Sequence, residues 1–381
     1  MLELLLSALL LLAVYSYFGY PGILLIMSKG GGKPVRDTSE IPSDLPRVSL
    51  IITAHNEERR IAAKLDECLR CDYPKDRLEI IVASDTSTDA TDTIVRQYRE
   101  HGVRLVRAEE RLGKENAQSL AISAANGNIL VFSDVGTTLL PDAVTNIVAP
   151  FADPEVGAVS SEDSFLTQDG SIAGEGLYVR YEMWLRRLES RVFSLVGLSG
   201  SFFAVRRDVC TDWDITVPSD FNVALNAVGH GLKAISSPRA RGYYHDVKDP
   251  KAEYGRKVRT VLRGMAALAK RSDVLNPRRF GLFSWQVWSH KVARWATPWF
   301  LALLFIVSAI AGNTSGFTAI LLGGQLMFYG AALVGYFVPA AQSIAAVRIA
   351  FFFCQANIAI MHATLRYLKG ERVTVWKPTR R

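Results

Sequence analysis

Long apolar stretches at both ends of this chain of 381 residues strongly limit how it can fold. Residues 2–27 are almost wholly apolar, and Glu3 is their one charged side chain. A helix that spans a bilayer needs about 20 such residues, so this stretch predicts a membrane helix. Positive charge follows the stretch instead of preceding it. That order favours an uncleaved anchor with the next segment on the cytoplasmic side.

A second apolar group begins near Phe280. Residues 280–295 mix three tryptophans with basic side chains, which is typical of an interfacial amphipathic helix. Three segments apolar enough to cross a membrane follow, at residues 297–311, 317–338 and 341–368. Three crossings after a cytoplasmic domain leave the basic C-terminus outside, whereas the positive-inside rule places it inside. The more polar last segment is therefore a candidate for a re-entrant or interfacial course.

The charge and the cysteines exclude some classes of function. Lysine and arginine exceed aspartate and glutamate by 7, and much of this excess lies beside the apolar segments. That placement favours a membrane surface over nucleic acid, and no zinc-finger or RNA-binding signature is present. Cys68 and Cys71 form a C-x-x-C pair without a second pair or a histidine at zinc spacing. Buried, reduced cysteines are therefore favoured over a redox or metal site.

Between the apolar ends, strand-like and helix-like patterns alternate. Strands are predicted at residues 48–53, 78–83, 103–106, 128–132, 156–160, 201–206 and 232–236. Helices are predicted at residues 57–69, 88–100, 114–125, 175–190, 219–228 and 252–270, with another beginning at Pro141. This order predicts an α/β fold whose first half is a parallel sheet with helices on both faces, and whose second half is more mixed.

Polar clusters follow three of the predicted strands at the point where each strand ends. They contain Asn56 and Glu57 after the first strand, Asp85 after the second and Asp134 after the fourth. Because ligands bind at the carboxyl ends of such strands, these clusters indicate a binding site. Helix N-caps are the alternative for Asn56 and Thr88, but they do not account for the two aspartates.

Lys114 follows Gly113 at the start of a predicted helix, where a lysine and free backbone N–H groups suit a phosphate. The glycine-rich fingerprints of dinucleotide-binding sites and of P-loops are both missing from the sequence.

Several motifs of the chain occur together in the order and at the spacing of one known enzyme family. The chain resembles a family 2 glycosyltransferase of the GT-A fold, closest to the cellulose-synthase-like branch, over roughly residues 47–265. The motifs are 54–58, 72–74, 79–82, 84–89, 111–114, 131–134, 175–178, 197–207, 219–221 and 256–260. The resemblance implies a Rossmann-like mixed sheet that carries the catalytic domain, with transmembrane helices at both ends.

The resemblance also implies an activity, which is transfer of a sugar from a nucleotide-sugar donor with inversion at the anomeric carbon. Donor-binding roles fall on Asn56, Glu57, Asp85, Lys114, Asp134, Arg256 and Arg259. Asp220 matches the catalytic base, for which a helix N-cap is the alternative. Asp134 opens the position of the D-x-D motif that binds Mg²⁺ or Mn²⁺, and His245 or Asp246 is the candidate to complete that metal site.

Three departures from the family pattern are present. Asp134-Val135-Gly136 lacks the second acid of D-x-D, and a single carboxylate binds a divalent ion poorly. Ser219 stands where an acid normally precedes the base. Thr260 replaces the aromatic residue that helps to hold the acceptor in processive synthases, which argues against a long β-linked homopolymer.

The sequence therefore predicts an integral membrane glycosyltransferase of the bacterial inner or plasma membrane, with a cytoplasmic catalytic domain. Its partners are a nucleotide-sugar donor, a lipid-linked or growing polysaccharide acceptor, and the lipid bilayer. A UDP-sugar is the first candidate for the donor. No signal for an oligomeric state is present. The predicted domains are an anchor (1–27), a linker (28–46), the transferase (47–272), an interfacial helix (273–296), membrane helices (297–368) and a basic tail (369–381).

Three alternatives accompany this prediction. The altered D-x-D suits a catalytically degenerate scaffold subunit of a polysaccharide assembly complex. Transfer of a single sugar to polyprenyl phosphate is compatible with the same motifs. A transporter is disfavoured, because the chain has few spans and no inverted repeat.

Overall fold

The computed structural model of the protein describes residues 1–30, 45–166, 177–245 and 250–373. Most of the predicted linker, the pair Glu175-Gly176 and most of the basic tail lie outside these ranges. The strands are β1 (Val48–Ala54), β2 (Leu78–Ser84), β3 (Val103–Arg107), β4 (Ile129–Asp134), β5 (Val156–Leu166), β6 (Phe202–Arg206) and β7 (Lys233–His245). The helices are α1 (Leu2–Val14), α2 (Tyr20–Lys29), α3 (Ile61–Leu69), α4 (Thr91–Gln97), α5 (Lys114–Ala124), α6 (Ala143–Val148), α7 (Leu177–Val192), α8 (Ser219–Gly229), α9 (Pro250–Lys270), α10 (Pro277–Phe280), α11 (Leu282–Val287), α12 (Ala293–Ala311), α13 (Gly316–Phe337) and α14 (Ala345–Leu368).

The seven strands form one sheet in the order β3-β2-β1-β4-β6-β5-β7. The first four strands run parallel to one another. β6 is antiparallel to both of its neighbours, β4 and β5, whereas β5 and β7 are parallel. The predicted mixed α/β sheet is confirmed, and β6 is the strand that makes it mixed.

β1 is covered on both faces, which explains its continuous apolar sequence. Leu50 and Ile52 belong to one buried cluster, and Ile51, between them, belongs to another. Successive side chains of a strand point to opposite faces, so each cluster lies on one side of the sheet. Strands buried on both faces are typical of parallel sheets with helices on either side.

The chain divides into two compact units. The helical unit comprises Met1–Ile23, Asp249–Met265 and Trp285–Arg372. The sheet unit comprises Leu24–Lys248, Ala266–Ser284 and Val373–Arg381.

Four helical segments of the described chain are long and apolar enough to cross a membrane: Leu2–Lys29, Leu282–Ala311, Gly316–Phe337 and Ala345–Leu368. They include the membrane helices that the sequence predicts at both ends. The tryptophan-rich stretch for which the sequence predicts an interfacial helix forms the first part of the 30-residue segment Leu282–Ala311.

Polar side chains tie the N-terminal segment to α12 and the turn before it. The π-helical turn Tyr15–Gly19 contacts a second π-helical turn, Trp288–Val292. The hydroxyls of Tyr15 and Ser289 are 2.8 Å apart, and those of Ser16 and Thr297 are 3.1 Å apart. Hydroxyl pairs between membrane helices fix their relative register, because a shift by one residue would separate the partners.

Cys68 and Cys71 are free and buried. Burial raises the pKa of the Cys68 thiol to about 12 and that of Cys71 to about 11. Since the thiolate is the reactive form, both cysteines are poorly suited to redox chemistry at neutral pH.

Glu79 links the starts of three strands through its carboxylate. Its Oε1 accepts hydrogen bonds at 2.5 Å from the Ser49 hydroxyl and the Asn126 backbone N–H. Its Oε2 accepts from the side chains of Asn126 at 3.1 Å and Arg104 at 3.3 Å. Burial raises the pKa of Glu79, but the hydrogen bonds from Ser49 and Asn126, with the charge of Arg104, outweigh burial and lower it.

Replacing Glu79 by glutamine is expected to destabilise the protein at neutral pH only. A carboxylate with a lowered pKa contributes stability that is present above its unfolded pKa and lost as pH falls through its folded pKa. We expect the free energy of unfolding to fall by about 1 kcal/mol at pH 7, because the glutamine Nε2 meets two donors. Thermal unfolding in detergent measures this difference. A gap between the two proteins that persists below about pH 4 would contradict the ionic origin of the effect.

Candidate functional site

The carboxyl ends of β1, β2 and β4 lie side by side. Thr53 pairs with Asp134 across β1 and β4, and Ala54 pairs with Ser84 across β1 and β2. The structure therefore brings the three predicted polar clusters to one edge of the sheet. In open α/β sheets this edge is where ligands bind.

Asp85 fixes the start of α5. It is 3% exposed, and its Oδ1 accepts a hydrogen bond from the Gly113 backbone N–H at 3.1 Å. Its own backbone N–H donates to the Ala54 carbonyl at 2.9 Å. Gly113 has φ +108°, which L side chains rarely adopt, so a glycine suits the turn that leads into Lys114.

Asn56 holds two loops together. It has φ +54°, and Thr86 has φ +55°, so both adopt the left-handed region, which is costly for a β-branched threonine. The Asn56 Oδ1 accepts a hydrogen bond from the Thr88 backbone N–H at 2.8 Å. The following helices begin at Ile61 and Thr91. The N-cap interpretation of Asn56 and Thr88 is therefore wrong.

The Glu57 carboxylate lies against Arg60, with contacts of 2.6–2.9 Å. Burial raises the pKa of the Glu57 carboxyl, the Arg60 guanidinium opposes this, and the Asp134 and Asp89 carboxylates raise it further. The carboxyl edge of the sheet thus concentrates negative charge, which favours cations beside it.

Lys114 supplies such a cation. Its Nζ donates to Asp134 Oδ1 at 2.5 Å and to the Gly200 carbonyl at 2.7 Å. The Lys114 side chain is 14% exposed and that of Asp134 is 35% exposed, so solvent reaches the pair from the Asp134 side. A phosphate that entered here would meet a fixed ammonium group at the first residue of α5.

Asp220 lies beside Gly200. A Cβ built on Gly200 would be 2.9 Å from Asp220 Oδ2. Asp220 is in the first turn of α8, whose N-cap residue is Pro218, and Pro218 makes no side-chain capping hydrogen bond. The N-cap interpretation of Asp220 is therefore wrong. Its backbone carbonyl accepts a hydrogen bond from the Leu198 N–H at 3.1 Å.

Gly200 thereby connects Lys114 and Asp220, two residues that the resemblance assigns to the donor and the catalytic base. Gly200 itself is not among the site residues that the sequence predicts. It falls in the motif 197–207, where the small residues Ser-Gly-Ser before a strand were the available signal. Asp163 and Tyr244, which hydrogen-bond each other at 2.9 Å next to this glycine, had no signal in the sequence.

Arg256 and Arg259 belong to the helical unit, not to the sheet unit that carries the other candidate residues. Arg256 forms an ion pair with Glu253, with Nε and one terminal nitrogen each 2.9 Å from a carboxylate oxygen. Burial lowers the pKa of Arg259, and the charges of Arg263 and Arg256 lower it further. Their assignment to the donor stays a prediction.

Few of the described side chains could act as ligands of the predicted metal ion. Among the described residues, no group of three or more histidine, cysteine, aspartate or glutamate side chains can hold an ion. Asp134 offers one carboxylate, and Lys114 already contacts its Oδ1. The side chain of His245 and residue Asp246 lie outside the described residues. Asp134 alone does not make a metal site, since divalent ions take several oxygen ligands.

Comparison with known proteins agrees with the fold and with the motifs. A solved structure of a mannosyltransferase from Pyrobaculum calidifontis, in complex with GDP-Man and Mn²⁺, superposes with a TM-score of 0.76. The match covers 98% of this chain and 100% of that chain at 24% identity, which establishes a shared fold.

Sequence relatives carry the family assignment. The model described as glycosyl transferase family 2 matches residues 49–213. A beta-monoglucosyldiacylglycerol synthase from Nostoc sp. is 25% identical over 208 residues, which is 51% of this chain and 43% of that relative. The chain spans less than half the length of this relative. An N-acetylglucosaminyltransferase from Rhizobium leguminosarum bv. trifolii is 30% identical over 138 residues, which is 33% of this chain and 75% of that relative. The chain belongs to glycosyl transferase family 2.

Proposed function

We propose that the protein is a membrane-bound inverting glycosyltransferase of the cellulose-synthase-like branch. It transfers a sugar from a nucleotide-sugar donor to a lipid-linked or growing polysaccharide acceptor in envelope or exopolysaccharide synthesis. A UDP-sugar is the first candidate for the donor. The observation that carries the proposal is the arrangement of Lys114, Asp134 and Asp220 around Gly200 at the carboxyl edge of the sheet.

The donor's diphosphate is the leaving group, and negative charge grows on it as the sugar bond breaks. Lys114 is held in place by two acceptors, so its ammonium group is oriented before the donor binds. Preorganised positive charge of this kind stabilises a developing anion without reorganisation. Asn56, Glu57 and Asp85 take the base and ribose in this proposal, and Arg256 and Arg259 take the diphosphate.

Asp220 acts as the general base. The acceptor hydroxyl gives its proton to the Asp220 carboxylate while its oxygen forms a bond to the anomeric carbon. The bond from that carbon to the diphosphate oxygen breaks, and the nucleoside diphosphate leaves with the electron pair. Attack opposite to the leaving group inverts the anomeric configuration.

A divalent ion, Mg²⁺ or Mn²⁺, belongs to the proposal, and Asp134 would be its ligand from this chain together with the donor's phosphate oxygens. It would supply positive charge to the leaving group. His245 is the further ligand that the sequence indicates. The described residues do not form a metal site by themselves, so the proton transfer and the bond changes rest on the side chains alone.

The acceptor side of the proposal is supported by the four candidate membrane helices. The Nostoc relative is named as a synthase of monoglucosyldiacylglycerol, which is a lipid that carries a sugar. We propose that the transferase domain, residues 47–272, faces the cytoplasm and that the helices hold a lipid-linked acceptor at the membrane surface.

One observation favours a second candidate, a catalytically degenerate scaffold subunit of a polysaccharide assembly complex. The position of the missing second acid is occupied by Gly136, which has no side chain to bind an ion. The remaining acid, Asp134, is engaged by Lys114. A scaffold predicts no turnover of any donor.

Nucleotide release by the purified, detergent-solubilised protein tests the proposal. A panel of UDP-, GDP- and other nucleotide sugars is offered with membrane lipid extract in Mg²⁺, Mn²⁺ or chelator. We expect release from one donor class, dependence on the lipid extract, and loss of release in chelator. Absence of both release and nucleotide binding for every donor would favour the scaffold.

Lys114→Met sharpens the same experiment. Losing a charged hydrogen-bond donor to the diphosphate is expected to raise the donor Kd about 10- to 100-fold. Lys233→Met is the matched control, because Lys233 forms a surface ion pair with Glu155 at 2.6 Å. Equal donor affinity in the two variants would remove Lys114 from the donor site.

A further inference from the structure

The loop that carries Gly200 is held by side chains from two neighbouring strands. We call Ser199–Ser201 the serine loop. Asp163 of β5 accepts, through Oδ1, hydrogen bonds from the Ser199 hydroxyl at 2.5 Å and the Tyr244 hydroxyl at 2.9 Å. The Tyr244 hydroxyl also pairs with the Ser201 hydroxyl. Both serines of the loop are therefore joined to one carboxylate, directly or through Tyr244.

The backbone of the serine loop is fixed as well. The Ser199 N–H donates to the Ser160 hydroxyl at 2.8 Å. The Ser201 carbonyl accepts from the Asp134 N–H at 3.0 Å. Gly200 is thus bracketed on both sides, and its carbonyl direction is set by its neighbours.

The direction of this carbonyl matters because Lys114 donates to it at 2.7 Å. The Asp220 Oδ2 lies 2.9 Å from the position that a Cβ on Gly200 would take. A shift of the serine loop would therefore displace the donor-side cation and the base together. A displacement of about 1 Å at a reacting group can cost about 100-fold in rate.

We infer that Asp163 and Tyr244 are positioning residues for sugar transfer, which act on Lys114 and Asp220 through the serine loop. The inference rests on the proposed function and adds to it two residues that touch neither donor nor acceptor in the proposal. Charge-assisted hydrogen bonds to a carboxylate are about twice as strong as neutral ones, so Asp163 is suited to anchor the loop.

The surroundings of Tyr244 suit it to hold the serine loop by hydrogen bonds. Tyr244 is 5% exposed. Burial, followed by the Asp163 charge, raises the pKa of Tyr244 well above its ordinary value. Its hydroxyl consequently keeps its proton, which allows Tyr244 to donate to Asp163 and accept from Ser201.

Tyr244→Phe tests the inference, with Tyr243→Phe as the matched control. Tyr243 is the preceding residue of β7 and is buried to a similar degree, but alternation along the strand points it to the other face. We expect Tyr244→Phe to lower kcat about 10-fold with the donor KM within about 2-fold, and Tyr243→Phe to leave both unchanged. Asp163→Ala is expected to lower kcat about 100-fold, and Asp163→Asn to recover part of this loss because its amide oxygen still accepts.

Hydrogen exchange of the serine-loop amides gives a readout that does not need turnover. We expect exchange about 10-fold faster in Tyr244→Phe than in Tyr243→Phe, since local opening becomes easier. Unchanged exchange would overturn the inference even for an inactive protein. If the wild type releases no nucleotide but exchange responds as expected, the proposed function fails and the link between Asp163, Tyr244 and the loop stands. If both tyrosine variants keep the wild-type kcat, the positioning role fails while the proposed function stands.

Discussion

Asp220→Asn is expected to lower the rate of nucleotide release by about 10²- to 10⁴-fold, the usual contribution of a general base. An amide of the same size cannot take the acceptor proton. Donor binding is expected to survive, because Lys114 and Asp134 are untouched by the change. The thermal unfolding temperature is expected to fall only slightly, since the Asp220 side chain does not cap α8 and the change removes only its charge near the start of the helix.

The measurement is steady-state release in the presence of the acceptor lipid, together with the donor Kd. Asp212→Asn is the control: Asp212 also belongs to the sheet unit, its side chain is 64% exposed, and it pairs with His230 at the surface. Full activity in Asp220→Asn would remove this residue as the base. If Asp220→Asn also keeps the biological role that deletion of the protein abolishes, the scaffold becomes the better account.

Gly200→Ala is expected to lower kcat about 100-fold while the protein stays folded. The new methyl group would lie 2.9 Å from Asp220 Oδ2 and 3.3 Å from its Cγ, too close for the carboxylate to keep its position. The carboxylate is the free end of a side chain, so it can rotate away at small cost to stability. The donor Kd is expected to change little, because Lys114 contacts the backbone carbonyl of residue 200 and not a side chain.

Parallel measurements of kcat, donor Kd and thermal unfolding separate these effects. Gly323→Ala in α13 is the control, because a Cβ there meets nothing within 4 Å. A Gly200→Ala protein with wild-type kcat would mean that Asp220 does not need its observed position. A large fall in unfolding temperature would mean that the loop, and not the carboxylate, gave way.

The strands of the first half of the sheet were predictable, because their apolar runs are continuous and end in polar residues. β1 and β2 begin at the predicted residues and end one residue later than predicted. The reversal of β6 was not predictable from its sequence, since direction depends on which neighbour a strand pairs with. β5 and β7 extend well past their predicted ends, as a pair running from Glu162 and Arg241 to Leu166 and His245. Their polar residues gave no strand pattern there.

The candidate site could be predicted where a residue's role follows from its own side chain. It could not be predicted where the role depends on which distant residues the side chain contacts. Asp85, Lys114, Asp134 and Asp220 stood out as charges at the ends of elements. The start of α3 at Ile61 was not predicted, because Asn56 has a left-handed backbone and the helix therefore begins later than Glu57. The roles of Gly200, Asp163 and Tyr244 arise from partners 20 or more residues away, which no local pattern records.

The reversed direction of β6 has a consequence for how the protein is made. Because β6 is antiparallel, the loop at its beginning, and not at its end, reaches the edge where β1, β2 and β4 finish. Lys114 therefore finds its carbonyl partner 86 residues later in the chain. At about 5–20 residues per second, the ribosome takes about 4–17 seconds to join these two positions. Lys114 and Asp134 are both synthesised before Gly200, so their ion pair can form before the contacts to Gly200 and Asp220 do.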